Sequence, residues 1–451
     1  MDRSEQLRTG NIPRLMLKFS LPAIIAMIVH ALYNVVDSIF VGRGVGELAL
    51  AGVTVSFPIV IILMALVMLI SMGATTLISI RLGEKKGSEA EQIIGNALVL
   101  FLAIGFSLTV LGLIFIKPLL VLFGASVNVL PYANDYMSII LLGSVFMAIG
   151  VGMNNFIRAE GNPKTAMYTM IIGSITNIIL DYLFIFIFHW GIKGAAFATI
   201  LSYTVTSTWV LYYFLSGKSL LKIRLENFKL NGLLVKGIIV VGFPAFAMQA
   251  TSSVQNLILN RSLVYYGGDL ALAAIGILMS VATLIVVPII GISQGAQPII
   301  GFNYGAKQFG RVKDTLKLGI IAATAIVTVG FIISRVWPAE IIGLFNQNPQ
   351  LIELGSHAML IFFILLPLEG LQLVGAGYFQ AVGKPVPATI LSLSRQVIIF
   401  IPLVLILPHF WGLDGVWRAS PLSDLGAFLL TVIWLWYEIR QLGKQEVRAE
   451  A

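Results

Sequence analysis

Twelve apolar stretches, each long enough to cross a bilayer, run through the chain at 15–42, 50–80, 93–116, 132–157, 166–188, 192–215, 234–261, 271–302, 316–335, 355–382, 387–407 and 415–437. A helix needs about 20 mostly apolar residues to traverse hydrocarbon. Without water to satisfy the backbone, nothing but helices and closed barrels can span. The alternating segments of about ten residues that mark a membrane barrel do not occur, so the expectation is an all-α polytopic membrane protein. Composition supports it: 58% of the 451 residues are apolar and 11% charged, against roughly 25% charged in soluble domains. An ordinary cytosolic enzyme is thereby excluded. The absence of Cys removes disulfides and thiolate metal sites. The first stretch is too long for a cleavable signal and carries Asn34 and Asp37 in its second half.

The formal charge of +8 is a topology signal. With the N-terminus placed in the cytoplasm, 22 of the 29 Lys and Arg fall on the inner side, and Arg395 falls within a span. This positive-inside bias orients the chain with both termini cytoplasmic and removes the need for a nucleic-acid partner. The longest hydrophilic connection, 216–233, separates an expected N-terminal six-helix bundle (1–215) from a C-terminal one (234–451).

The two halves are related in sequence at an offset of 222. Pro22-Ala23 meets Pro244-Ala245, Asn34 meets Asn256, Ser71, Gly73 and Ala74 meet Ser293, Gly295 and Ala296, and RAEGNP at 158–163 meets QAVGKP at 380–385. Six spans per half make both halves enter the membrane from the same side. The repeats are therefore expected to be parallel and related by a pseudo-two-fold axis along the membrane normal.

An ionisable side chain in the middle of a bilayer costs around 3 kcal/mol, so it marks function by default. His30, Asn34 and Asp37 share one helical face with Tyr33 beside them, and Asn177 and Asp181 share another. Span 6 offers Thr199, Ser202, Tyr203 and Thr206 at helical spacing. If spans 1, 5 and 6 pack together, two carboxylates converge in the first bundle, where they can take up and release a proton or Na⁺. At the offset positions Asp37, Asn177 and Asp181 become Leu259, Ile399 and Leu403. The acidic site is expected in the first bundle alone. The second bundle carries a neutral stripe of Gln249, Ser253, Asn256 and Asn260 on span 7, and Glu369 and Arg395 as natural partners for a buried ion pair. Arg418 and Asp424, nearer an end of span 12, read as snorkelling or paired residues. No GxxxxGK[ST], HExxH, GxSxG or TVGYG sequence occurs, so phosphate-loop, zinc-peptidase, hydrolase and channel-filter chemistry have no support.

Taken in order, PAIIAMIVHALYNVVDSIFVGRGVGELALAGV around span 1, ISIRLGEKKG after span 2, RAEGNPK before span 5, TNIILDYLFIF within it and FQAVGKPVPA before span 11 resemble the multidrug and toxic compound extrusion (MATE) transporters, bacterial branch. The resemblance implies a secondary antiporter that exports organic cations and amphipathic drugs in exchange for H⁺ or Na⁺, with no cofactor and no enzymatic activity. It would be a monomer of the cell membrane. By the same resemblance, Asp37, Asn177, Asp181 and Thr199 match the cation site of the family's first lobe, and Na⁺ would sit among Asp37, Asn177 and Asp181; Asn34, on the face of Asp37, is counted with the cation-coupling residues. Candidate cavity residues are His30, Tyr33 and Tyr203 in the first bundle and Gln249, Asn256 and Glu369 in the second. Span 7 lacks the acid that some family members place there. A lipid-linked precursor flippase of related architecture and a membrane-embedded enzyme using Asp37 and Asp181 are the alternatives.

Overall fold

The computed structural model describes the backbone of residues 3–450 and the side chains of 3–446; Arg448, one of the inner-side cations, lies outside the described side chains. Helices carry the chain, and no strand occurs among the described residues. Nine helices there are long and apolar enough to cross a membrane, and two bent pairs add a span each. The longest, Gly232–Gly305, is itself two spans, because Gly268 at φ 64° and ψ −161° breaks the helix between 232–267 and 269–305. A residue with a Cβ would be strained at that φ. The result is twelve spans in the expected order: Ile12–Gly44, Glu47–Gly83, Gly87–Leu122, the bent pair Leu130–Leu142 and Ser144–Ala159, Pro163–Ile187, Gly191–Leu215, 232–267, 269–305, Phe309–Val336, the bent pair Pro349–Phe362 and Leu366–Ala381, Pro385–Trp411, and Leu413–Glu450. Outward-facing Leu17, Phe106, Ile114 and Leu284 are exposed, which suits a lipid solvent.

The fourth span of each half is the bent one, by 57° in span 4 and 43° in span 10. A bend frees backbone carbonyls that hydrocarbon cannot satisfy. In span 4 the Thr109 hydroxyl donates to the Leu141 carbonyl at 2.7 Å. In span 10, where the Ile364 N–H turns to the Ile361 carbonyl at 3.3 Å, the Arg335 guanidinium donates to the Leu360 carbonyl at 2.6 Å. Different side chains on different helices do the same work.

The chain forms two compact units, one of residues 1–10 and 25–249, the other of 11–24 and 250–451. The dividing points fall inside spans 1 and 7 rather than in the 216–233 connection. Within the first unit the start of span 7 crosses span 2 so closely that a Cβ on Gly242 would lie 1.7 Å from the Leu69 carbonyl oxygen, and one on Gly73 would lie 1.9 Å from that of Ile238. Within the second unit the start of span 1 crosses span 8, where a Cβ on Gly295 would lie 2.5 Å from Ser20 Oγ. Gly73 and Gly295 are partners in the 222 offset, and so are Ser20 and Gly242. The repeat thus preserves one crossing in two copies. Small residues at such crossings let backbones approach and gain dispersion contacts, which is the main attraction between helices in lipid.

The connection after span 6 lies along the first unit. Asn96 donates to the carbonyls of Asn227 and Lys229, both at 3.2 Å, and accepts from the Asn231 N–H at 2.8 Å. Glu160, in the turn between spans 4 and 5, accepts from Arg3, Tyr213, Ser219 and the Leu220 N–H. One buried carboxylate therefore ties the first helix, Arg3–Thr9, to the end of span 6 and the connection that follows.

Candidate functional site

In the first unit, span 1 is held to span 5 by aromatic packing just beyond the acids. Phe40 meets the Phe186 ring edge-on at 5.4 Å and the Tyr182 ring at 6.4 Å. Phe186 lies in a widened π turn, Leu183–Ile187, that ends span 5; such turns often occur at functional sites. At the end of span 1 the approach is close enough that a Cβ on Gly44 would lie 2.3 Å from Ile185 Cγ2. Two turns earlier on span 1 and one turn earlier on span 5 stand Asp37 and Asp181, whose carboxyl groups lie close to each other.

A carboxylate has no proton to donate, so this contact is satisfied only if a proton or another positive charge lies between the groups. The surroundings supply none: Asp37 Oδ1, both Asp181 carboxyl oxygens and Asn177 Oδ1 are all buried without a hydrogen-bond donor. Asp181 is fully buried and Asn177 nearly so. Asn177 is steered by its other end, since its Nδ2 donates to Thr199 Oγ1 at 3.4 Å, while Thr199 itself donates to the Ala195 carbonyl at 3.0 Å. The four unpaired oxygens form a donor set for a hard monovalent cation or a proton. No group of three or more His, Cys, Asp or Glu side chains placed to hold a metal occurs among the described residues, so Asn and Thr oxygens would have to complete any Na⁺ shell.

Tyrosines enclose the acids. Tyr33 and Tyr203 lie near each other, and both stand near Asp37. His30 packs edge-on against Tyr33 at 4.8 Å. Tyr136 of span 4 also stands near Asp37, Asp181 and Tyr203. Sequence reasoning missed Tyr136, although Asn134, Asp135 and Ser138 make its stretch of span 4 polar. Asn34 stands apart: it is exposed and donates to the His30 carbonyl of its own helix at 2.8 Å. Gln249 belongs to the first unit, at the dividing point in span 7.

The second unit places Asn256 and Glu369 on one cavity of about 180 Å³, with Arg395 and Asp424 also in its wall. Arg395 donates through Nη2 to Glu369 Oε1 and through Nε to Asp424 Oδ1, the latter at 2.8 Å. The Glu369–Arg395 pair read from the sequence is therefore a triad. Asp424 is 4% exposed and is neither snorkelling nor near the surface. Ser420, Ser423 and Asp424 share one face of span 12, a polar stripe that could have signalled a buried role. Arg418, read from the sequence as snorkelling or paired, stacks on Trp411 at 4.8 Å. Arg395 sits in a second π turn, Ser394–Ile398, and its carbonyl, diverted from the regular helix pattern, accepts from Ser423 Oγ at 2.5 Å.

Comparison with known proteins agrees with this architecture. The MatE family profile matches twice, over residues 22–183 and 244–406, once in each half of the repeat. The chain is 29% identical over 435 residues to the multidrug export protein MepA of Staphylococcus haemolyticus, covering 96% of each, and 28% identical to MepA of Staphylococcus aureus, covering 93% of each. A crystal structure of a MATE transporter in the bent conformation superposes with a TM-score of 0.93 at 26% identity, covering 99% of each chain. Matching structures of this kind have twelve transmembrane helices in two bundles. The chain is a multi-pass membrane protein and belongs to the MatE family of transporters.

Proposed function

We propose that the protein is a secondary antiporter that exports organic cations and amphipathic drugs in exchange for H⁺ or Na⁺ by alternating access. The observation that carries this reading is the proximity of Asp37 to Asp181, three of whose carboxyl oxygens are buried, together with Asn177 Oδ1, without a hydrogen-bond partner. That its relatives are drug exporters supports the cargo.

The physical argument runs through charge. Two ionised carboxylates about 4 Å apart repel by about 4 kcal/mol at an effective dielectric near 20. The pair is therefore stable with one positive charge between its members and costly without it. Loading and unloading that charge biases spans 1 and 5, which carry the two acids. Exchange follows if the ion and the drug favour different states of the protein, since a ligand with equal affinity for both shifts nothing. A monocation exchanged for one proton is electroneutral, so a pH difference of one unit can sustain about a tenfold drug gradient. The remaining assignments are cell-membrane residence, cytoplasmic termini and a monomeric working unit.

Proteoliposomes loaded with a fluorescent cationic dye test the proposal, with pH and Na⁺ gradients imposed separately. One of the two gradients is expected to drive dye movement. Asp37→Asn and Asp181→Asn are each expected to abolish that drive while the protein still purifies as a monodisperse species. Undiminished gradient-driven movement in both variants would refute the coupling role.

A further inference from the structure

A cavity of about 280 Å³ opens in the first unit where span 6 ends, away from the acidic pair, and Arg3 and Lys218 are the charged residues in its wall. Lys218 makes no ion pair among the described residues, and its Nζ lies 5.3 Å from the centre of the Tyr212 ring. Arg3 commits Nη1 to Glu160 and Tyr213, at 3.2 and 2.6 Å. Its Nε and Nη2 make no hydrogen bond among the described residues. Glu160 lies fully buried behind Arg3, so it and the two cations together leave at least one excess positive charge. The other polar groups of the wall are unequal in the same sense. Asn162 is spent at both ends, donating to the Tyr213 hydroxyl at 3.2 Å and accepting from the Thr165 N–H at 3.3 Å. The Thr165 hydroxyl, Trp209 Nε1 and the Tyr212 hydroxyl make no hydrogen bond among the described residues, and each can donate.

A cavity rich in donors and positive charge calls for an anion with several acceptor oxygens. Phosphate fits that description, because a guanidinium fork binds two of its oxygens at once and an ammonium adds a point charge. Sites that enclose a whole drug-sized ligand run to about 300–1,000 Å³, so this one holds a head group and leaves longer chains outside. Span 6 shows where such chains would run. Trp209, Tyr212 and Leu215, three residues apart on one helical face, are all exposed, and the helix stops at Leu215. An exposed apolar face faces lipid tails, and Trp and Tyr collect at the level of the head groups. The cavity therefore lies at the depth where hydrocarbon gives way to phosphate, and basic pockets at that depth take anionic lipid head groups.

We infer that this cavity binds the phosphodiester head group of an anionic phospholipid, with Arg3 and Lys218 on the phosphate oxygens and the acyl chains along the exposed face of span 6. The site is independent of the antiport reading. Its ligand bridges Arg3 of the first helix, Thr165 at the start of span 5 and Lys218 beyond the end of span 6. It thus adds a second tie, from the lipid side, to the one that Glu160 makes from within.

The test titrates three probes calorimetrically into the purified full chain in a neutral detergent: dihexanoyl-phosphatidylglycerol, dihexanoyl-phosphatidylcholine and glycerol phosphate. The first two share phosphodiester and chains, but the choline ammonium meets the repulsion of Arg3 and Lys218. The third carries phosphate without chains. Phosphatidylglycerol is expected to bind at one saturable site, about tenfold tighter than either of the others. Lys218→Gln is expected to weaken it about fivefold, the contribution of one cation near a membrane surface. Lys218 is exposed, so this variant keeps the fold. Lys222→Gln, an exposed position on the same connection but outside the cavity wall, is expected to leave the affinity unchanged. Equal binding of the two lipids overturns the inference. Equal losses in the Lys218 and Lys222 variants overturn it too, since they mark a diffuse surface attraction. Glycerol phosphate binding as tightly as phosphatidylglycerol overturns the lipid assignment in favour of a soluble phosphate.

Discussion

Arg395 and Asp424 are joined by a 2.8 Å hydrogen bond between helices 11 and 12, and the same guanidinium also holds Glu369 on helix 10. Removing the cation leaves two buried carboxylates facing each other. Breaking a buried ion pair by deleting one partner typically costs about 3–5 kcal/mol, and Arg395→Met is expected to fall in that range, read as a large drop in melting temperature in detergent. The triple variant Arg395→Met/Glu369→Gln/Asp424→Asn, which leaves no charge behind, is expected to recover most of the loss. A single variant as stable as the wild type would show that the triad is solvated rather than buried.

The crossing of spans 2 and 7 leaves no space for a methyl group. Gly242→Ala would force a Cβ to within 1.7 Å of the Leu69 carbonyl oxygen, so the helices must separate. Overpacking of this kind costs about 1–3 kcal/mol or more. Gly237→Ala, one turn earlier in sequence, meets Leu77 Cδ1 at an ordinary 3.5 Å and is expected to be neutral. Melting temperatures of the two variants, measured side by side, check the prediction; equal stability would contradict it.

Tyr136 is the member of the acidic cluster that sequence alone did not reveal. Tyr136→Phe keeps the ring that fills the site and removes the hydroxyl near Asp37 and Asp181. Losing one hydrogen-bonding group next to a charge is expected to slow gradient-driven dye movement by about tenfold with the melting temperature within a few degrees of wild type. Wild-type kinetics would place Tyr136 among the packing residues.

Glu160 makes stability depend on pH. Burial pushes its carboxyl above the ordinary 4.5, against the pull of Ser219, Tyr213, Arg3 and the Leu220 N–H. The folded protein then holds the proton more tightly than the unfolded chain. The resulting stability is fully present below about pH 4.5 and is lost as pH rises through the raised native value. Glu160→Gln is expected to flatten that dependence, measured as melting temperature against pH. An unchanged slope in the variant would assign the dependence to another group.

The span count, its order and the acidic pair of the first bundle could all be read from the amino-acid sequence. The reason is that hydrocarbon imposes simple rules. Spans must be about 20 apolar residues long, and an acid such as Asp37 or Asp181 is too costly in oil to be incidental. The repeat also contained the matched Gly73 and Gly295, although their role as crossing points emerged with Gly242 and Ser20 beside them.

Tertiary packing decided what local pattern could not express. That the first turns of spans 1 and 7 pack with the opposite unit from the rest of their helices depends on backbones meeting across more than 160 residues of sequence. The same holds for Asp424, whose side chain reads as peripheral in its own helix and is buried because Arg395 reaches it from another. Helical periodicity reports which face a residue occupies, and it carries no information about which helix that face will meet.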